Sequence, residues 1–183
     1  MFGLTHIIFQ AYYVISYQDK QPMKKNLTVL FLFLVFSFQI QAQQIPELNQ
    51  KIVDYVKTQV GKKVNTGECW DLAYEALTQN NCEWNGAFVF GKKINPKTDS
   101  IYPGDIIQFS NVVIKTTKGN MIYKETYKKH TAIIYSVKEK GVFEIAHQNN
   151  GFSGRKVGLS ELNINSKYSG TIDFFRPVAK ATR

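Results

Sequence analysis

The 183-residue sequence predicts an α+β fold, with N-terminal helices packed on an antiparallel β-sheet. Three observations carry this. Apolar residues recur at helical spacing between Pro46 and about Asn80. Short runs rich in β-branched and aromatic residues follow, from Phe88 to Phe175. Turn signals separate those runs closely enough for hairpins, and helices followed by a run of strands define this class.

The chain opens on a different kind of segment. Met23-Lys24-Lys25 is a charged start, Leu27 to Phe38 is almost wholly apolar, and Ile40-Gln41-Ala42 ends in a small residue. That order predicts a signal peptide over residues 23–42, cleaved near Ala42. The apolar run falls short of the ~20 residues a spanning helix needs, so no stable membrane anchor is expected after cleavage. Residues 1–22 lie upstream and read as a spurious or disordered N-terminal extension, with Met23 as the start. The expected product is a secreted or periplasmic protein with one folded domain over residues 43–183.

That domain carries 20 Lys and Arg against 13 Asp and Glu. A basic surface favours anionic partners, which for an exported protein include cell-wall carboxylates, acidic glycans and lipid headgroups, with peptidoglycan or another anionic cell-wall polymer the expected one. No motif supports nucleic acid. The pairs Lys62-Lys63, Lys92-Lys93 and Lys128-Lys129 are scattered, so the charge reads equally as a solvated surface.

Leu48, Ile52, Tyr55, Val56 and Val60 define a first helix from Pro46 to Val60, with Gly61 as its C-terminal stop. Trp70, Leu72, Ala73, Ala76 and Leu77 define a second, from about Cys69 to Asn80. The predicted strands are 88–90, 106–109, 112–117, 121–127, 131–137, 142–146 and 171–175. Tyr102-Pro103-Gly104-Asp105, Lys118-Gly119-Asn120 and Lys138-Glu139-Lys140-Gly141 mark the turns.

Gly67-Glu68-Cys69-Trp70-Asp71 is the stretch with the most chemistry. A thiol in the first turn of a helix faces unpaired amides and the positive end of the dipole, which favour the thiolate and can receive an oxyanion. A disulfide with Cys82 is the alternative for an exported protein, but a helix between the two cysteines would hold their Cα atoms ~15 Å or more apart. Residues 43–183 contain only two histidines. His130 opens the run His130-Thr131-Ala132-Ile133-Ile134, where a strand-end side chain could reach a helix terminus. Strand alternation puts Phe143, Ile145, His147 and Asn149 on one face, where His147 needs a polar partner and His130 would be one. Each histidine alone also reads as an ordinary strand-edge residue. The Cys and His spacings fit no zinc motif. Glu68, Asp71 and Glu75 read as a solvated helix face.

These residues resemble the CHAP-type and NlpC-type cysteine amidases and peptidases, which share a papain-like core. The resemblance covers roughly residues 46–178. It rests on Gly67-Glu68-Cys69-Trp70, Pro103-Gly104-Asp105-Ile106-Ile107-Gln108-Phe109, His130-Thr131-Ala132-Ile133-Ile134 and His147-Gln148-Asn149 in order. It implies that Cys69 attacks, His130 acts as general base and then acid, and His147 or Asn149 orients the imidazole. CHAP-type enzymes usually read Glu-Gln-Asn at the last motif, so His147 is a departure, whereas NlpC-type relatives use a His there. The same wording resembles a CHAP-like domain of fungal actin-associated proteins, which implies the fold without implying hydrolysis. The leading expectation is an exported cysteine hydrolase that cleaves peptidoglycan amide bonds through an acyl-enzyme, with no cofactor. The alternatives are a non-catalytic module that binds anionic wall polymer and a secreted effector that acts on protein amide bonds.

Overall fold

The computed structural model describes residues 44–181. The chain divides into two units, Met1–Gln44 and Ile45–Arg183, and the second is the subject here. The expected signal over 23–42 and the extension 1–22 lie outside the described residues.

Helix α1 spans Glu47–Gln59 and buries Asn49, Ile52, Val53 and Val56. Its apolar stripe follows the predicted period. Pro46 stands at its entrance, and Gly61, at φ +80°, takes the left-handed conformation that lets the chain turn away. Helix α2 spans Asp71–Gln79 and buries Leu72, Ala73, Ala76 and Leu77.

Helix α2 starts later than its apolar spacing suggests, because Asp71 folds the residues before it into a separate turn. The Asp71 carboxylate accepts hydrogen bonds from the Glu68 amide at 3.0 Å and the Thr66 hydroxyl at 2.7 Å. The Asp71 amide donates to the Glu68 carbonyl at 3.1 Å. Cys69 therefore stands in a tight turn ahead of the helix, not in its first turn.

The remainder forms one six-stranded antiparallel sheet in the order β1-β6-β2-β3-β4-β5. The strands are β1 (Lys92–Ile94), β2 (Ile106–Lys118), β3 (Met121–Glu139), β4 (Val142–His147), β5 (Gly158–Asn163) and β6 (Lys167–Arg176). Predicted strands 106–109 and 112–117 are one continuous β2, and 121–127 and 131–137 are one β3. His130 consequently lies inside a strand rather than opening one. The turns at Gly119-Asn120 and Lys140-Gly141 close the two hairpins as expected. Residues 88–90 are not a strand: Phe90 is fully buried in a loop, against the Trp84 and Phe175 rings.

Both faces of the sheet are covered. Ile106, Ile133, Ala146 and Phe175 pack with Ile52 and Val56 of α1 and Leu72, Ala73, Ala76 and Leu77 of α2. Ile107, Phe109, Ala132, Ile134, Phe143, Ile145, Leu162 and Phe174 form a second core on the opposite face. Neighbours in a strand point to opposite sides, so residue parity decides which core a side chain joins.

The Pro103-Gly104-Asp105 motif ties α1 to the sheet. Asp105 is fully buried and accepts from Arg176 Nε at 3.1 Å, Arg176 Nη2 at 2.9 Å, Asn49 Nδ2 at 2.8 Å and the Tyr102 amide at 2.8 Å. Gly104 adopts φ +86°, and a Cβ there would sit 2.4 Å from the Asn49 carbonyl oxygen. No larger residue fits so close to α1. The motif's role is therefore architectural.

Candidate functional site

Cys69 is half-buried and free, as is the buried Cys82. Its loop is held from below by Gln148, which is fully buried. The Gln148 side-chain amide donates to the carbonyls of Val64 at 3.0 Å and Glu68 at 2.8 Å, and its oxygen accepts from the Val64 amide at 3.1 Å. One side chain thus satisfies three backbone groups that no ladder reaches.

The group beside the sulfur is Thr131. Burial pushes the Cys69 thiol above its ordinary value, the Thr131 amide and hydroxyl pull it back, and the negative Glu68 pushes it up again, for a net rise. The Thr131 amide is available because β4 ends early. Ile134 N–H bonds the Asp105 carbonyl, on the β2 side, so the amide of Thr131 faces the opposite edge. There β4 has stopped at His147. The Thr131 hydroxyl also bonds Gln108 Oε1 at 2.8 Å, which fixes its position beside the thiol. The balance thus runs against the acidic sulfur that the sequence predicts.

His130 and His147 meet, but on the other face. His130 Nε2 lies 2.9 Å from His147 Nδ1, and His147 Nε2 lies 2.9 Å from Ser160 Oγ. The Phe109 and Tyr127 rings flank His130 at 6.0 and 5.2 Å, and Phe109 belongs to the second core. Burial lowers His130 to about 4. Burial, and then the neighbouring His130, lowers His147 to about 3. Both imidazoles are neutral at ordinary pH. Alternation correctly paired the histidines; Thr131 has the parity that faces the helices and lies beside Cys69, whereas His130 has the parity of the second core.

The Asn149 side-chain amide turns toward Glu68. Asn149 leaves the strand at φ +58° and donates to Glu68 Oε2 at 2.7 Å. Arg155 holds the other Glu68 oxygen at 3.0 Å and the Thr66 carbonyl at 2.8 Å, so Asn149 and Arg155 together brace the rim of the Cys69 loop. Sequence reasoning missed Thr131, Gln108, Gln148 and Ser160. Gln148 was detectable, since the alternation that turns His147 toward one core turns Gln148 toward the helices. Among the described residues, no three His, Cys, Asp or Glu converge to hold a metal ion.

Two N-terminal helices on an antiparallel sheet, with a cysteine at the entrance to the second, form a cysteine proteinase-type scaffold. The chain belongs to the AIM3/BBC1 family: its cysteine proteinase-fold domain matches residues 42–182. The expected papain-like resemblance thus holds at the level of the cysteine proteinase fold. Similar solved structures include the crystal structure of Ly7917, at 17% identity and TM-score 0.40, covering 69% of this chain and 62% of that one. Another is Ly7917 with the hydrolyzing product of MDP, at 20% identity and TM-score 0.41, covering 70% and 63%. This chain spans about three fifths of the Ly7917 length. No curated protein matches the sequence.

Proposed function

We propose that the domain is an exported recognition module on a cysteine-proteinase scaffold, binding an anionic wall polymer such as peptidoglycan through its lysine-rich surface. One observation carries this reading: the thiol's polar neighbour is Thr131, while the His130–His147 pair lies across the sheet. A thiol whose value is raised by burial and whose polar neighbour is a threonine is a poor nucleophile.

The rival reading is an exported hydrolase that cleaves peptidoglycan amide bonds through Cys69, or an effector that cuts protein amides. It draws on the family's fold and on the half-exposed cysteine at a helix entrance. It requires the His130 imidazole to come within reach of the sulfur, which the adjacent Thr131 backbone already touches.

Purified protein incubated with peptidoglycan separates the two. The module reading expects sacculi to retain the protein in a salt-sensitive manner, with no new termini from either the wild type or Cys69→Ala. New termini from the wild type alone would overturn it.

A further inference from the structure

The loop after α2 and the C-terminal segment flank a cavity of about 280 Å³, lined by Glu83, Trp84, Asn85, Val89, Gly91 and Lys180. Ligand cavities run from about 300 to 1,000 Å³, so this one suits a small molecule. Its walls are fixed by backbone bonds. The Glu83 amide donates to the Val178 carbonyl at 2.8 Å and the Lys180 amide to the Asn81 carbonyl at 2.9 Å, on either side of the Cys82–Ala179 bridge. The Asn85 side-chain oxygen accepts from the amides of Ala87 at 2.8 Å and Val89 at 3.3 Å, which closes the loop on itself. Gly91, at φ +106°, lies so close to the Arg176 carbonyl that a Cβ has no room.

Two opposite charges share this site. The antiparallel bridge makes Glu83 and Lys180 diagonal neighbours on one face, with Cβ atoms roughly 7 Å apart, while the buried Cys82 turns to the other face. Both side chains are exposed, and neither carries an ion pair among the described residues. Val89, 40% exposed, and Trp84 give the cavity an apolar wall. Trp84 also holds a buried indole N–H without an acceptor in the described fold, a donor that native structures seldom leave unmet.

A simple anion in the cavity would be repelled by Glu83, and a simple cation by Lys180. A neutral sugar would dehydrate both charges and neutralise neither. An α-amino acid meets both, because its ammonium and carboxylate sit side by side and a charge-assisted contact of about 2.8 Å at each end spans the gap. We propose that the cavity binds a small free amino acid with an apolar side chain, its ammonium on Glu83, its carboxylate on Lys180 and its side chain against Val89 and Trp84. Binding there goes beyond the wall-polymer reading, does not depend on it, and neither needs nor excludes chemistry at Cys69.

The test titrates leucine, N-acetyl-leucine and leucinamide into the full chain. Calorimetry and indole emission follow binding; the chain's two tryptophans are Trp84, on the cavity wall, and Trp70, stacked on it at 5.8 Å. Leucine is expected to bind with a Kd of about 1 mM or tighter. Capping either head group is expected to weaken binding about fivefold. Glu83→Gln should weaken leucine to the same degree and abolish the difference between leucine and N-acetyl-leucine, and Lys180→Gln should abolish the difference between leucine and leucinamide. Both side chains are exposed, so the fold tolerates these substitutions, as circular dichroism checks. Three results would each overturn the proposal and leave retention by sacculi untouched: no leucine binding at about 10 mM, capped forms that bind as well as leucine, or leucine binding that neither substitution changes.

Discussion

Gln148 is the residue on which the Cys69 loop depends, and replacing it with Leu isolates that dependence. The substitution keeps a side chain of similar bulk in a fully buried position and deletes three hydrogen bonds, two to the Val64 and Glu68 carbonyls and one from the Val64 amide. A buried bond whose partner is left behind costs ~1–3 kcal/mol. The Val64 amide bears the full cost, while the Val64 and Glu68 carbonyls each lose one of two donors and keep the Gly67 and Asp71 amides. The sum is about 3 kcal/mol. In urea, with a slope of ~2 kcal/mol/M, the midpoint falls by roughly 1.5 M with the slope unchanged. The same loosening exposes Cys69, so iodoacetamide labels it faster in Gln148→Leu than in the wild type under native conditions. A loss below about 1 kcal/mol, or an unchanged labelling rate, would show that the loop stands without Gln148.

Three further outcomes follow from the same geometry. The rate of Cys69 alkylation is expected to rise with pH through an inflection above the ordinary thiol value of 9.0, because burial raises this group; an inflection below pH 8 would refute the upward shift. His130 and His147, lowered to about 4 and about 3, stay neutral in the fold while the unfolded chain takes up protons near pH 6.5. The unfolded state therefore binds more protons, and stability present above pH 6.5 is lost as pH falls toward 4, at up to roughly 2–3 kcal/mol per pH unit. His130→Leu/His147→Leu should flatten that acid limb in urea titrations, and an unchanged limb would count against the pair as its source. Asp105→Asn preserves shape but turns one acceptor into a donor facing Arg176, in a side chain with no exposure. About 3 kcal/mol of stability should disappear, measured by denaturant midpoint, with α1 the first element to lose protection in hydrogen exchange.

The α+β class was readable because the two periods are cleanly separated along the chain. Ile52 and Val56, then Leu72, Ala73, Ala76 and Leu77, repeat as one helix face, and beyond Ile106 the β-branched runs are divided by the glycine-bearing turns at Gly119 and Gly141. Strands β1 and β5 escaped detection for physical reasons. Lys92-Lys93-Ile94 is a three-residue edge with two exposed lysines, and Gly158-Leu159-Ser160-Glu161-Leu162-Asn163 carries no β-branched or aromatic residue. Residues 88–90 have the opposite property: strongly β-prone, they are drawn into the aromatic cluster of Trp84, Phe90 and Phe175 instead of a ladder.

The site was only half legible, and the cause is the two-sided burial of the sheet. Where one face is wet, polar residues mark it, and the parity of a strand can be read directly. Along Thr131-Ala132-Ile133-Ile134 every side chain is buried, alternately in the helix-side core and the opposite one, and the polar Thr131 is buried like the rest, so it does not mark which parity faces α2. His130 and Thr131 were equally eligible to meet Cys69, and chemistry alone favoured the histidine. A one-residue difference in parity moves a whole set of side chains to the other face, which here turns a thiol–imidazole pair into a thiol beside a threonine. The relation between the histidines survives that ambiguity because it needs only that they share a face. Phe143, Ile145 and His147 fix one side of it, and the 2.9 Å contact with His130 fixes the other. The identity of the group facing the sulfur had no such second constraint, since it depended on where β4 ends and on which amide of β3 is left without a ladder partner.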